Sequence, residues 1–251
     1  MSNPVMDQIA FGERALSIVL DAMRLVRFDS AKRPHIYAVT LHATIVQLCS
    51  GCLTVAKTKC TAGVPVLLRS MFEALVDLDN LVHDQNFFER MDAANLEQYL
   101  KLLRDSPTNP LLSGLDKKHD LPRIIGEYQA QLDELRSRKR GQKDLRQRCI
   151  DVDRGDEYQS IYLLYCLDAH NNVGALIDRH IRSDESETLQ VTIAGDESPL
   201  SLARKLHFAV GWMLQSATLI HGAYRTRFDA IGLQREHEAL RAMQLESNVI
   251  E

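Results

Sequence analysis

The sequence predicts an all-α multi-helix bundle, with about six to eight helices around a central uncharged helix and at most one short β arm. Three observations lead there. Apolar residues recur at three- and four-residue spacing through most of the 251 positions. From Ile36 to Ala56 no acidic or basic residue interrupts the chain. Only Thr188 to Ile193 alternates with the two-residue period of a strand.

The elements follow in order. From about Pro4 to Asp29, Val5, Ile9, Leu16, Val19, Leu20, Met23 and Val26 share one face of an amphipathic helix. Lys32-Arg33-Pro34 breaks it, and the uncharged helix then runs to about Lys59. It is long enough to span a membrane, yet Thr40, His42, Thr44, Gln47, Ser50 and Thr54 favour the centre of a bundle. Pro65 suits the first turn of a third helix ending near Phe88. A shorter helix covers Arg90 to Asp105, closed by the turn chemistry of Ser106-Pro107-Thr108-Asn109-Pro110. The next begins near Lys118 and leads into a basic stretch from Arg136 to Arg148. Helices from about Asp156 to Ile181 and Leu200 to Phe228 complete the core, with the alternating segment between them. The predicted organisation is one domain over 1–230 and a charged C-terminal helix or tail over 231–251, in which Leu240, Met243 and Leu245 are sparse.

Composition narrows the function classes. With 45% hydrophobic residues, 25% charged residues and a formal net charge of -4, the chain is expected to be globular, and nucleic acid is not indicated as a partner. The basic stretch lacks interleaved aromatics and reads as a solvated segment. Cys49, Cys52, Cys60, Cys149 and Cys166 are odd in number and follow no secretory signal, so reduced core thiols in a cytoplasmic protein are expected. The Cys49-x-x-Cys52 pair sits in a helical pattern with no second pair to complete a zinc site. No metal-ligand set, cofactor fingerprint, phosphate loop or membrane anchor is expected.

Two helices carry the candidate chemistry. On the third, Leu67, Leu68, Met71, Phe72, Leu75, Leu78 and Val82 form the apolar arc, and Arg69, Glu73, Asp77, Asn80 and Asp84 line the opposite one as a wet face. On the later helix, Tyr162, Cys166, Val173 and Ile177 place His170 inside the apolar arc, beside Asn171. A buried histidine is most often a satisfied core residue, and the same reading applies to His221. His35 and His42 lie on one side of their helix without a carboxylate at ligand spacing.

An uncharged helix, then Leu68-Arg69-Ser70-Met71-Phe72-Glu73-Ala74, then Tyr162, Cys166 and His170 about ninety residues later, resembles a bacterial all-helical family of unknown function. In that family an Arg-x-x-x-Glu helix precedes a Tyr-x-x-x-Ser-x-x-x-His helix; Cys166 stands here for the serine. The resemblance covers roughly 36–181 and implies a binding set of Arg69, Glu73, Tyr162, Cys166, His170 and Asn171. It implies a binding, sensor or assembly module, in a phage-defence or stress system; separately, the long seam from Ala203 to Tyr224 and the charged tail lead to the expectation of a homodimer or partner protein. A weaker similarity to HEPN-type helical bundles implies the alternative, a ribonuclease or toxin with Arg69, Glu73 and His170 as catalytic residues. The Arg-x4-6-His spacing of those nucleases is absent around His170.

Overall fold

The structure is a computed structural model that describes residues 3–58, 61–106, 109, 120–141, 143–169, 172–183, 189–192, 197–224 and 230–248. Among these, ten helices and one two-stranded ribbon occur, two helices beyond the upper expectation, because the second half is more broken than its apolar pattern suggests.

Helix α1 (Pro4–Met23) starts where the Asn3 side chain accepts from the backbone N–H groups of Val5 and Met6, with proline in the first turn. Helix α2 (Arg33–Ala56) is the uncharged helix. By length and composition it could cross a membrane. Here Ile45, Val46, Cys49, Cys52 and Leu53 are buried in the core it forms with α1, α3 (Gly63–His83) and α9 (Pro199–Ala223). Its outward threonines bond back to their own helix: Thr40 to the Ile36 carbonyl, Thr44 to Thr40 and Thr54 to Ser50, at 2.8–2.9 Å. That is how a helix with no Asp, Glu, Lys or Arg from Ile36 to Ala56 keeps a polar side. It shares the centre with α3 and α9, whose buried residues include Phe72, Leu75, Trp212 and Met213.

Helices α4 (Phe87–Asp105) and α5 (Leu121–Ser137) form a satellite pair with its own small core of Ala93, Leu100, Leu132 and Leu135. Arg104 meets Gln129, Glu97 meets Arg136 and Glu89 meets Arg138, so the two run antiparallel. Helix α5 ends in a left-handed turn: Lys139 has φ 58° and the Arg140 N–H reaches back to the Leu135 carbonyl at 2.9 Å. This turn sends the basic stretch back along α4 and α3, where it forms helix α6 (Leu145–Asp151), capped by Asp144.

The long helix expected over 156–181 is two helices. Gly155–Glu157, a π-helical stretch Tyr158–Tyr162 and Leu163–Ala169 make one continuous helix, α7. Asn172 then caps a separate helix α8 (Val173–His180), its side chain accepting from the Gly174 N–H at 3.0 Å. The π stretch adds a residue to a turn and rotates the buried face. Tyr162 and Tyr165 are buried, whereas Leu163, Leu164 and Leu167 are exposed. Val173 and Ile177, expected in the apolar arc, lie open to solvent because the new cap starts a helix in a different phase.

The β arm is a hairpin of strands β1 (Ile181–Ser183) and β2 (Leu189–Val191), antiparallel, with Ile181 opposite Val191 and Ser183 opposite Leu189. Its second strand lies within the alternating segment; the first continues from the end of α8. Helix α10 (Ala230–Asn248) packs on α9 and α1 of its own chain, burying Leu233 and Leu240 and pairing Glu236 with Arg14.

Candidate functional site

Helix α3 positions the site because its buried arc is so complete that its orientation is fixed. Leu68, Met71, Phe72, Leu75, Val76 and Leu78 are buried in the main core. The opposite arc therefore lies along one line, and Arg140, Arg148, Arg154 and Tyr162 reach it from the later chain. Asp84 and Glu89 receive Arg140, Asp77 receives Arg148, and Asp79 receives Arg154 Nε at 2.8 Å. The Asn80 side-chain amide donates to the Val76 carbonyl at 2.8 Å and the Arg148 carbonyl at 2.9 Å. Arg154 also reaches Glu157 and Gln215, which ties α3 to α7 and α9. The arc expected to be a wet face is thus an inter-element ladder. The basic stretch expected to be solvated supplies its cations, since opposite charges on two partly buried surfaces attract most where water is scarce.

At the upper end of this ladder, Arg69, Glu73 and Tyr162 come together. Glu73 Oε1 accepts from the Tyr162 hydroxyl at 2.7 Å and from Arg69 Nε at 3.1 Å. Arg69 Nε also lies 3.3 Å from the Tyr162 oxygen. The guanidinium carbon stands 5.9 Å from the Tyr162 ring centroid, so the cation meets the π face as well. Tyr162 closes the π stretch, stacks on Tyr158 and packs against Phe72 of α3. Its side chain is almost fully buried, whereas those of Arg69 and Glu73 are 29% and 37% exposed, so the cluster opens to solvent on the α3 side.

Electrostatics follow from that geometry. Burial, with Glu73 and Cys166 beside the hydroxyl, holds the Tyr162 phenol well above its usual range. The Tyr162 contact raises Arg69 further above its already high value, against the opposing effect of burial. Asp77 is raised by desolvation despite Arg148, and Glu73 adds to that shift. A neutral tyrosine, a permanent guanidinium and a doubly bonded carboxylate form a hydrogen-bonded lock.

Of the residues singled out in the sequence, Arg69, Glu73 and Tyr162 converge, and Cys166 lies one turn beyond Tyr162. His170 and Asn171 lie outside the described residues. His221 is buried near His42, and His35 packs edge-on against Tyr224. The described cysteines, Cys49, Cys52, Cys149 and Cys166, are free, and burial pushes the Cys52 thiol up to about 12, which removes thiolate chemistry from that pair at neutral pH. Cys60 is outside the described residues. The Asp77–Arg148 and Asp79–Arg154 pairs went unread in the sequence. Their sequence signal is the acidic arc of α3 together with a chain rich in arginine from Arg136 to Arg154.

Fold and site together define an all-α bundle in which Arg69 and Glu73 of α3 and Tyr162 of α7 form a lock at one end of an ion-pair ladder. The chain belongs to the Family of unknown function (DUF5677), whose sequence model matches residues 35–188, from the start of α2 through the first strand of the hairpin. No curated protein and no solved structure matches it.

Proposed function

We propose that this chain is a non-catalytic binding or assembly module in which Arg69, Glu73 and Tyr162 lock α7 onto α3. One observation carries the reading: Glu73 Oε1 receives both the Tyr162 hydroxyl and Arg69 Nε. A carboxylate held in this way is a poor general base, and a phenol raised above its usual range stays protonated. The cluster's geometry therefore suits holding two helices in register better than transferring a proton.

The test combines stability with RNA integrity. Glu73→Ala removes an acceptor from two donors, one of them on a buried ring, a loss of about 1–3 kcal/mol. At about 2–4 °C per kcal/mol for a chain of this size, melting should fall by several degrees. Tyr162→Phe should fall less, because the ring packing on Phe72 is retained. RNA incubated with the purified protein should stay intact. Unchanged melting in Glu73→Ala, together with RNA cleavage that Arg69→Ala abolishes, would replace this reading with the ribonuclease.

A further inference from the structure

Below the lock, the same α3 edge borders a cavity of about 200 Å³ that none of the motifs above accounts for. Asp77 of α3 forms one wall, Arg90, Asn95 and Gln98 of α4 another, and Lys143 and Arg148 the third, over an apolar floor of Phe87 and Met91. Three cations face one carboxylate. Their commitments differ. Arg148 is paired with Asp77, and Lys143 donates to Asp151. Arg90 donates to the Gly141 carbonyl at 2.8 Å, and no carboxylate of a described residue comes within ion-pair distance of it; Asp151 feels its field from further off. Among the described residues, the cavity's three cations thus exceed by one the carboxylates that pair with them, Asp77 and Asp151. Arg136, Arg138 and Arg140 of the basic stretch are matched by carboxylates, as Lys143 and Arg148 are, so among the described residues the unmatched cation at the cavity is Arg90 of α4.

Two further features point the same way. Arg148 lines the cavity while its Nε–H is buried with no acceptor among the described residues, so the guanidinium is incompletely bonded where it stands. Asn95 and Gln98 stand at the solvent rim three residues apart, so they project from the same side of α4, and neither side-chain amide is engaged by another described residue. Guanidinium groups select oxyanions by their planar donor geometry, and paired amides suit hydroxyls. The volume is below that of pockets for drug-sized ligands.

We propose that this cavity binds a small phosphate monoester, with the phosphate held by Arg90 and Arg148 and a hydroxylated body under Asn95 and Gln98. The site does not depend on whether the Tyr162 cluster is catalytic, so it stands or falls separately from the module reading. Calorimetric titration of the full chain at constant ionic strength, with inorganic phosphate, ribose 5-phosphate and ribose as probes, tests it. Ribose 5-phosphate should bind saturably and more tightly than phosphate, and ribose should not bind. Arg90→Gln, which breaks no ion pair and should fold normally by circular dichroism, should weaken both phosphates about tenfold or more, as loss of a charge-assisted contact does. Gln98→Ala should weaken ribose 5-phosphate and leave inorganic phosphate unchanged. Absence of saturable binding by both phosphates overturns the proposal, as does undiminished binding in Arg90→Gln or ribose binding as tightly as its phosphate.

Discussion

His42 shows how much a single buried side chain sets here. Its Nδ1 lies 2.9 Å from Ser216 Oγ, and that hydroxyl donates to the Met213 carbonyl at 2.7 Å. Ser216 must therefore accept from Nδ1–H, which leaves Nε2 as the unprotonated nitrogen, buried without a hydrogen-bond partner among the described residues. Protonating Nε2 would strand a charge in the core. Burial, with His221 nearby, accordingly lowers the imidazole from 6.5 to about 4. Between those values the unfolded chain holds more protons than the folded one, so this residue's share of stability is complete above pH 6.5, falls as pH drops and levels off below about 4. The full loss is about 3 kcal/mol. Denaturant midpoints measured from pH 7.5 to 4 should fall more steeply in the wild type than in His42→Gln, and parallel curves would contradict the assignment.

At the scale of elements, close approach and phase matter more than propensity. Where α1 crosses α2 and α9, Gly12 leaves no room: a Cβ there would lie 2.7 Å from Leu53 Cδ2 and 3.0 Å from Val210 Cγ2. Gly12→Ala should cost about 1–3 kcal/mol through overpacking. Gly126, inside α5 and exposed, meets nothing within 4 Å. Gly126→Ala should stabilise the chain by about 0.5–1 kcal/mol, because it restricts the unfolded state and raises helix propensity. Thermal melts of the two variants should move in opposite directions. The π stretch in α7 belongs to the same scale, since it turns Tyr162 and Tyr165 inward and the neighbouring leucines outward.

For the whole molecule, the charged C-terminal helix is part of the bundle's closure. Leu240 of α10 is 5% exposed, and its Cδ2 lies 3.5 Å from where a Cβ on Gly211 would stand, so α10 sits close against α9. Leu240→Ala should lose about 2–5 kcal/mol, as buried leucines do, and shift the single melting transition of the whole chain. A separate early transition would show that α10 folds independently. The ladder along α3 acts at the same scale. It joins the main core to the segment after α5 through carboxylates on one helix and cations from a distant stretch, and removing one partner costs most where the pair is least exposed, as at Asp79 and Arg154.

What the sequence alone determined was the class of fold and most helices; the meeting of Arg69, Glu73 and Tyr162 was an expectation of the family resemblance, set against a reading of that arc as solvated, and the structure decided it. Helical periodicity is local, and the family motif carried the expected pairing of two distant segments. What only the tertiary structure decided was where one helix ends and another begins after Ala169, and what the polar arc of α3 faces. Both depend on features too small to disturb an apolar pattern: one extra residue in a π turn, an asparagine cap, and Lys139 at positive φ. The left-handed turn at Lys139 folds the basic stretch back onto the acids of α3. Charge complementarity between segments some seventy residues apart becomes an ion-pair ladder only once the chain has brought them together.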